Sequence, residues 1–488
     1  FAPFFIILNR TKKFYSKVID HFSDLLGKDK IYGIALGIQQ EFEIKYAQNG
    51  YKWRDYSDDL KLKFEEEHGF KPPIIDVSRS IKFMGQNNYC DGYSKLMEFR
   101  EKNLINIISE ISKILKNRNL NVVGYFGEFF TSHDAIFQLS IIGELSKYID
   151  CATVDYNFFD GYKNDPNPWK VPIMLSYCKH IGYKKIFGGF YVERWREEVG
   201  VQGSPLNNKI WPVIAESISY CKSLNLLDGI EIGGFGDLNH DIENIFEKFP
   251  ILYASLNLKK IKSKKNKIKI GIFASHENFN WFSGEKGAEG DNINIHQIIV
   301  EKSFEMFFRD YRFYPIIISE KTLKYNPEIY EFLDLIYVCH QPALSDNTIE
   351  MITKFNKPLI QDLRMGEFTE DGHFRGNWCN KEFGIKSIEW ENNEDFNQFS
   401  TIKNSIDKVY SNALLSPIKG SELIIKKNHD LDKGLIVKTN NRITLGFLPC
   451  LLEGNLKANK LKNLTLNIIE DIFLEDKFKR NKQKWNIF

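Results

Sequence analysis

The strongest constraint on this chain is a series of short apolar runs, rich in β-branched and aromatic residues, spaced by amphipathic stretches of helical length. In the first half the runs are residues 3–8, 31–38, 121–126, 151–156, 185–191 and 228–232. They lack in/out alternation, which predicts strands buried on both faces, as in a parallel sheet. Residues 12–26, 95–116, 135–147, 173–181 and 210–224 carry helical spacing. One helix per gap predicts repeated β-α units with right-handed crossovers. A Lys-rich run at 259–267 interrupts this rhythm. Apolar runs then restart at 268–274, 315–318, 335–338, 359–362 and 444–447, predicting a second, doubly wound α/β unit. Residues 456–488 read as a polar helical tail.

Length agrees with this division, since 488 residues exceed what a single core organises. The expected organisation is a (β/α) domain at 1–258, a linker at 259–267, a second α/β domain at 268–455 and the tail. With 66 basic and 64 acidic residues interspersed, net charge is only +2. No basic field suited to a phosphate backbone results, so no nucleic-acid partner is expected. The seven cysteines are odd in number and form no C-x-x-C pair. This excludes a disulfide framework and a zinc knuckle, and predicts a reducing, cytoplasmic setting with no metal and no cofactor. No apolar run approaches the roughly 20 residues of a membrane helix, so no membrane partner is expected.

In parallel α/β structures the reactive side chains follow the carboxyl ends of strands. Here those ends are rich in carboxylates: Gln40-Glu41-Phe42-Glu43, Glu128, Asp155-Tyr156-Asn157, Tyr191-Val192-Glu193-Arg194-Trp195 and Asp237. Asp155 and Asp237 also suit helix N-caps, whereas Glu41, Glu128 and Glu193 are poor caps. Two carboxyl groups suffice for glycoside hydrolysis, one to protonate the leaving oxygen and one to attack the anomeric carbon or activate water.

At these residues the sequence resembles the clan A glycoside hydrolases. The run from Ile34 to Gln40-Glu41 is similar to their fourth barrel strand, where an amide residue precedes the acid/base glutamate; here Gln40 replaces the usual Asn. Gly188-Gly-Phe-Tyr-Val-Glu193 resembles the seventh strand, which ends in the nucleophile. The resemblance implies Glu41 as acid/base, with Glu43 the alternative, and Glu193 as nucleophile. Gln40, Glu128, Asp155, Tyr156, Asn157 and Tyr191 would surround the sugar. Trp53, Trp195 and Trp169 would stack on it. Numbered this way, residues 3–8 become strand three and 228–232 strand eight of a (β/α)8 TIM-type barrel. Strands one and two would then come from an upstream segment or a second chain.

The second unit resembles the amidotransferase-like domain that follows the barrel in family 42 β-galactosidases, where it serves trimer formation. The resemblance thus implies a carbohydrate substrate and a homo-oligomer. Cys339, flanked by Val338 and His340, lacks the glycines of a nucleophile elbow, so no glutaminase chemistry is expected. A rival reading is a non-catalytic carbohydrate-binding or assembly protein on the same scaffold.

Overall fold

The computed structural model describes residues 4–38, 58–73, 90–127, 129–130, 140–157, 168–191, 210–233, 254–255, 267–282, 295–362, 364–376, 382–390, 413–427, 430–452 and 456–485. They fall into two compact units. The first carries five strands: β1 (Gly33–Ile38), β2 (Asn121–Phe126), β3 (Cys151–Asn157), β4 (Lys185–Tyr191) and β5 (Gly229–Gly233). All neighbours pair in parallel, and spatial order equals sequence order. Helices Tyr93–Lys116, Ile141–Leu145, Lys170–Ile181 and Ile210–Ser223 fill the successive gaps. Crossovers of constant hand between strands laid down in order must put their helices on one face.

The burial pattern shows which face that is. Leu36, Val122, Phe126, Ala152, Val154 and Ile186 are buried, and they alternate with Ala35, Val123, Tyr125 and Phe187, which are more open. Helix Tyr93–Lys116 packs against β2, and helix Lys170–Ile181 against β3 and β4. Among the described residues the other face is helix-free.

An aspartate placed just before a strand pins the register at the amino edge. Asp150 accepts from Val122 N at 3.2 Å, and Asp228 accepts from Ile186 N at 2.9 Å. The second unit repeats the device, with Asp334 accepting from Lys269 N at 2.9 Å.

One predicted strand is wrong. Residues 3–8 were expected to be the first strand, but Phe4–Leu26 is a single helix. Its apolar start is too short to distinguish strand from helix by itself. Val18, Ile19, Phe22 and Leu25 continue the run at helical spacing, and that periodicity prevails. The described strands of the first unit therefore number five, with β1 and β5 at the ends of the path. Part of the segment without predicted strands, Asp58–His68, is also helical.

Among the described residues the second unit holds nine strands: β6 (Ile268–Phe273), β7 (Phe313–Ile318), β8 (Leu335–Val338), β9 (Leu359–Gln361), β10 (Ile385–Trp390), β11 (Ala413–Pro417), β12 (Glu422–Lys427), β13 (Asp430–Thr439) and β14 (Arg442–Leu445). Their order is β10-β11-β13-β14-β9-β8-β6-β7, with β12 on β13. From β7 to β14 the pairing is parallel; β10 to β14 form an antiparallel extension. Phe273, Ile316, Ile336, Leu359 and Val437 belong to one buried cluster that spans both parts.

Lys357 ties the turn before β8 to the start of β9. It is 7% exposed, and its Nζ donates to the carbonyls of Tyr330, Glu331 and Leu333 at 2.9, 2.9 and 2.7 Å. Lys357→Met keeps the stem but strands these acceptors. A loss of about 1–3 kcal/mol is expected in urea denaturation, the usual cost of an unsatisfied buried polar group; an unchanged midpoint would contradict this role.

Candidate active site

Parallel strands bring their carboxyl ends to one edge, and in the first unit β3 and β4 end there on four of the residues nominated from sequence. Gln40, Glu41, Trp53, Glu128, Glu193 and Trp195 lie outside the described residues. Asp155, Tyr156 and Asn157 end β3, and Tyr191 ends β4. Register joins Asn157 to Tyr191 and Tyr191 to Gly233.

Alternation then sorts these residues by face. Asp155, Asn157 and Tyr191 occupy helix-free positions, in step with Thr153 and Phe187. Tyr156 pairs with Phe190 and shares the helix-covered face with Val154. Sequence position alone had grouped it with Asp155 and Asn157. Trp169 is held by packing: it is 6% exposed and stacks on Tyr220, with centroids 4.3 Å apart and planes 10° apart.

Several positions of the helix-free face carry no side chain. Gly37, Gly189, Gly229 and Gly233 all lie on it. A Cβ on Gly229 would lie 2.3 Å from the Phe187 ring, so a side chain there would require that ring to move. On the same face stands an exposed carboxylate that sequence reading passed over, Glu231, in register with Gly189. The signal was present, because a charged residue inside an apolar strand run requires a polar surrounding.

In the second unit, the loops after β6 and β8 leave in opposite directions, which creates a topological switch point. A buried polar network fills it. Gln341 Oε1 accepts from Ser275 N at 2.9 Å, and Asp362 accepts from His340 N at 2.6 Å and Tyr337 OH at 2.8 Å. Burial pushes the Asp362 carboxyl up to about 8. Burial, then the neighbouring Glu320, push Glu277 up to about 7, while it accepts from Ser345 and Thr348. His296 and His340 meet at 3.4 Å through their Nδ1 atoms. Burial depresses both, His296 to about 3. His340 has a φ of 42°, a strained value for a residue with a side chain. Cys339 is fully buried, and its thiol donates to Phe273 O at 3.4 Å. Burial and the charge of Asp362 hold that thiol well above its usual range. A buried, protonated thiol is a poor nucleophile.

This network gives stability a pH dependence of definite sign. The raised carboxyls bind protons more tightly when folded, so their contribution is lost as pH rises toward their folded values. The depressed imidazoles act oppositely, and only below the ordinary histidine value of 6.5. Between pH 4 and 6.5 the two effects oppose each other. From 6.5 to 8 the carboxyls act alone. Tm is therefore expected to fall over that upper interval, and Asp362→Asn should flatten the fall; a parallel slope in the variant would refute the assignment.

No family model and no curated protein sequence matches the chain. Solved structures do. A β-galactosidase from the psychrophilic Marinomonas ef1 aligns at a TM-score of 0.51 and 10% identity, over 86% of this chain and 69% of that one. An exo-carrageenase GH42 from Bacteroides ovatus aligns at 0.43 and 11%, over 82% and 66%. Alpha-L-fucosidase isoenzyme 2 from Paenibacillus thiaminolyticus aligns at 0.46 and 10%, over 89% and 68%. At such identity the first likeness speaks for fold alone: a mixed α/β architecture built on parallel sheet, similar to that of a glycoside hydrolase.

Proposed function

We propose that this chain is a retaining glycoside hydrolase of β-galactosidase-like specificity, with Glu41 as acid/base and Glu193 as nucleophile. The observation that carries this reading is the register of the first sheet. Odd-numbered positions of β1 and of β4 lie on the helix-free face, as Gly37 and Tyr191 do. The parallel register brings the carboxyl ends of β1 and β4 to one edge, and in the sequence Glu41 and Glu193 follow those ends.

Distance adds a condition. Neighbouring strands lie about 4.8 Å apart, so three steps from β1 to β4 would separate the two ends by roughly 14 Å in a flat sheet. A retaining pair requires about 5–5.5 Å. The proposal therefore includes curvature, with β1 to β5 as the fourth to eighth strands of a (β/α)8 barrel. The second unit, whose parallel strands run in the order β7-β6-β8-β9-β14, is taken as the amidotransferase-like domain, serving assembly of a homo-oligomer.

The reaction requires only water and the two carboxyl groups. Glu193 attacks the anomeric carbon while Glu41 protonates the leaving oxygen. Glu41, now ionised, then draws a proton from the water that releases the sugar. Proton NMR of an aryl β-galactoside digest tests this directly: the first-formed sugar should be the β anomer. Initial release of the α anomer would make the enzyme inverting, and sugar binding without hydrolysis would favour a binding protein.

A further inference from the structure

We infer that the helix Leu456–Trp485 is a self-association surface on which a second copy of this chain lies antiparallel, an interface for which the proposed sugar chemistry is not needed. One face of the helix is committed to its own unit. Thr465, Leu466, Ile468, Ile469, Ile472 and Phe473 are buried, and the helix packs on the turn Pro449–Leu451. Ion pairs border that face on either side, Arg312 with Glu470 at 2.7 Å and Lys438 with Glu475 at 2.8 Å.

The opposite face carries a second row. Leu464, Asn467, Asp471, Leu474 and Phe478 are all exposed, Phe478 to 66%. Their alternating steps of three and four residues follow the seam of a coiled coil. A helix face meant for water alone is polar throughout, so leucines and a phenylalanine in register mark a contact surface.

Charge decides what covers it. Glu470, Asp471, Glu475 and Asp476 form an acidic block; Lys477, Lys479, Arg480, Lys482 and Lys484 follow as a basic one, with no acid among residues 477–485. Basic residues suit the last turn of a helix, but the acidic block before them does not follow from that preference. A parallel copy would set like charge against like. An antiparallel copy turned about position 476 lays each block on the partner's opposite one. It also brings position 474 beside position 478 of the partner, so that Leu474 and Phe478 meet twice across the two-fold axis of an isologous interface. A surface of single sign, such as an anionic membrane or a nucleic acid, would be repelled by one of the two blocks.

Two helices meeting over roughly four turns bury less than the about 1,200 Å² of a standard interface, so a dissociation constant on the order of micromolar is expected. Sedimentation equilibrium of the full chain, at concentrations bracketing that value, should show a monomer–dimer equilibrium that weakens as salt rises. Leu474→Ser and Phe478→Ser should each weaken the dimer by roughly tenfold or more, with Tm unchanged because both side chains are exposed in the single chain. Asp471→Lys should weaken it by repulsion from the partner's basic block, and adding Lys482→Asp should restore it. That rescue singles out antiparallel pairing, since positions 471 and 482 lie about three turns apart within one helix.

A chain that stays monomeric at every concentration would overturn the inference, as would association that survives both serine variants. A fall of Tm in those variants would assign Leu474 and Phe478 to the packing of their own chain. A monomer that sediments with phosphatidylglycerol vesicles, and loses them in Phe478→Ser, would replace the second copy with a lipid surface. A trimer indifferent to all these changes would place assembly on another face.

Discussion

Replacing Glu193 by Gln is expected to lower kcat on an aryl β-galactoside by roughly four orders of magnitude, the scale on which loss of a covalent catalyst is felt. The amide cannot attack the anomeric carbon, so no glycosyl-enzyme forms. The smaller Glu193→Ala leaves space for an external anion. Adding azide should restore part of the rate to that variant and yield the α-glycosyl azide, because attack then comes once, from the nucleophile's side. Full activity in Glu193→Gln would remove the assignment. A loss without azide rescue would point to a residue that binds rather than attacks.

The second large effect concerns Glu41, and its signature is dependence on the leaving group. General acid catalysis contributes about 10²–10⁴-fold where the departing oxygen is basic. Glu41→Ala should therefore lose about that much on an alkyl or phenyl galactoside. The bond-breaking step on a dinitrophenyl galactoside, whose leaving group departs unprotonated, should be largely spared. The alkaline limb of the pH–rate profile, which reports deprotonation of the acid, should vanish in the variant. Equal losses on both substrates would exclude Glu41 as the acid, and Glu43 would be examined next in the same way.

The parallel strands were the most legible part of the fold because each combines a continuous apolar run with a sharp polar boundary. Residues 121–126 and 185–191 were bounded in the sequence as they are in the structure. The antiparallel extension was not visible. Glu422–Lys427 and Asp430–Thr439 carry charges through their length, and only pairing with each other and with Arg442–Leu445 makes them strands. Propensity is weak there, and neighbours decide. Face was the other hidden quantity. Tyr156 and Asp155 are adjacent in sequence yet stand on opposite sides of the sheet, and Glu231 lies level with Asp155 from 76 positions away. Such relations are set by register between strands, which no single segment encodes. The two glutamates themselves could be nominated from sequence because a Glu after a strand has few purely local uses.

The second sheet also bears on how the chain is made. β9 sits in the interior of that sheet, yet its outer neighbour β14 is encoded far downstream, since Leu359 pairs with Arg442. On a translating ribosome at about 5–20 residues per second, β9 waits on the order of ten seconds for that partner. Throughout the interval the nascent domain presents a parallel half-sheet with β9 as an additional open edge, a template for strands of neighbouring chains. Two features of β9 limit the hazard. It is only three residues long, and Pro358 stands directly before it. The central seam of the finished domain is thus also its last to close during synthesis, and its shortness protects the nascent chain until β14 arrives.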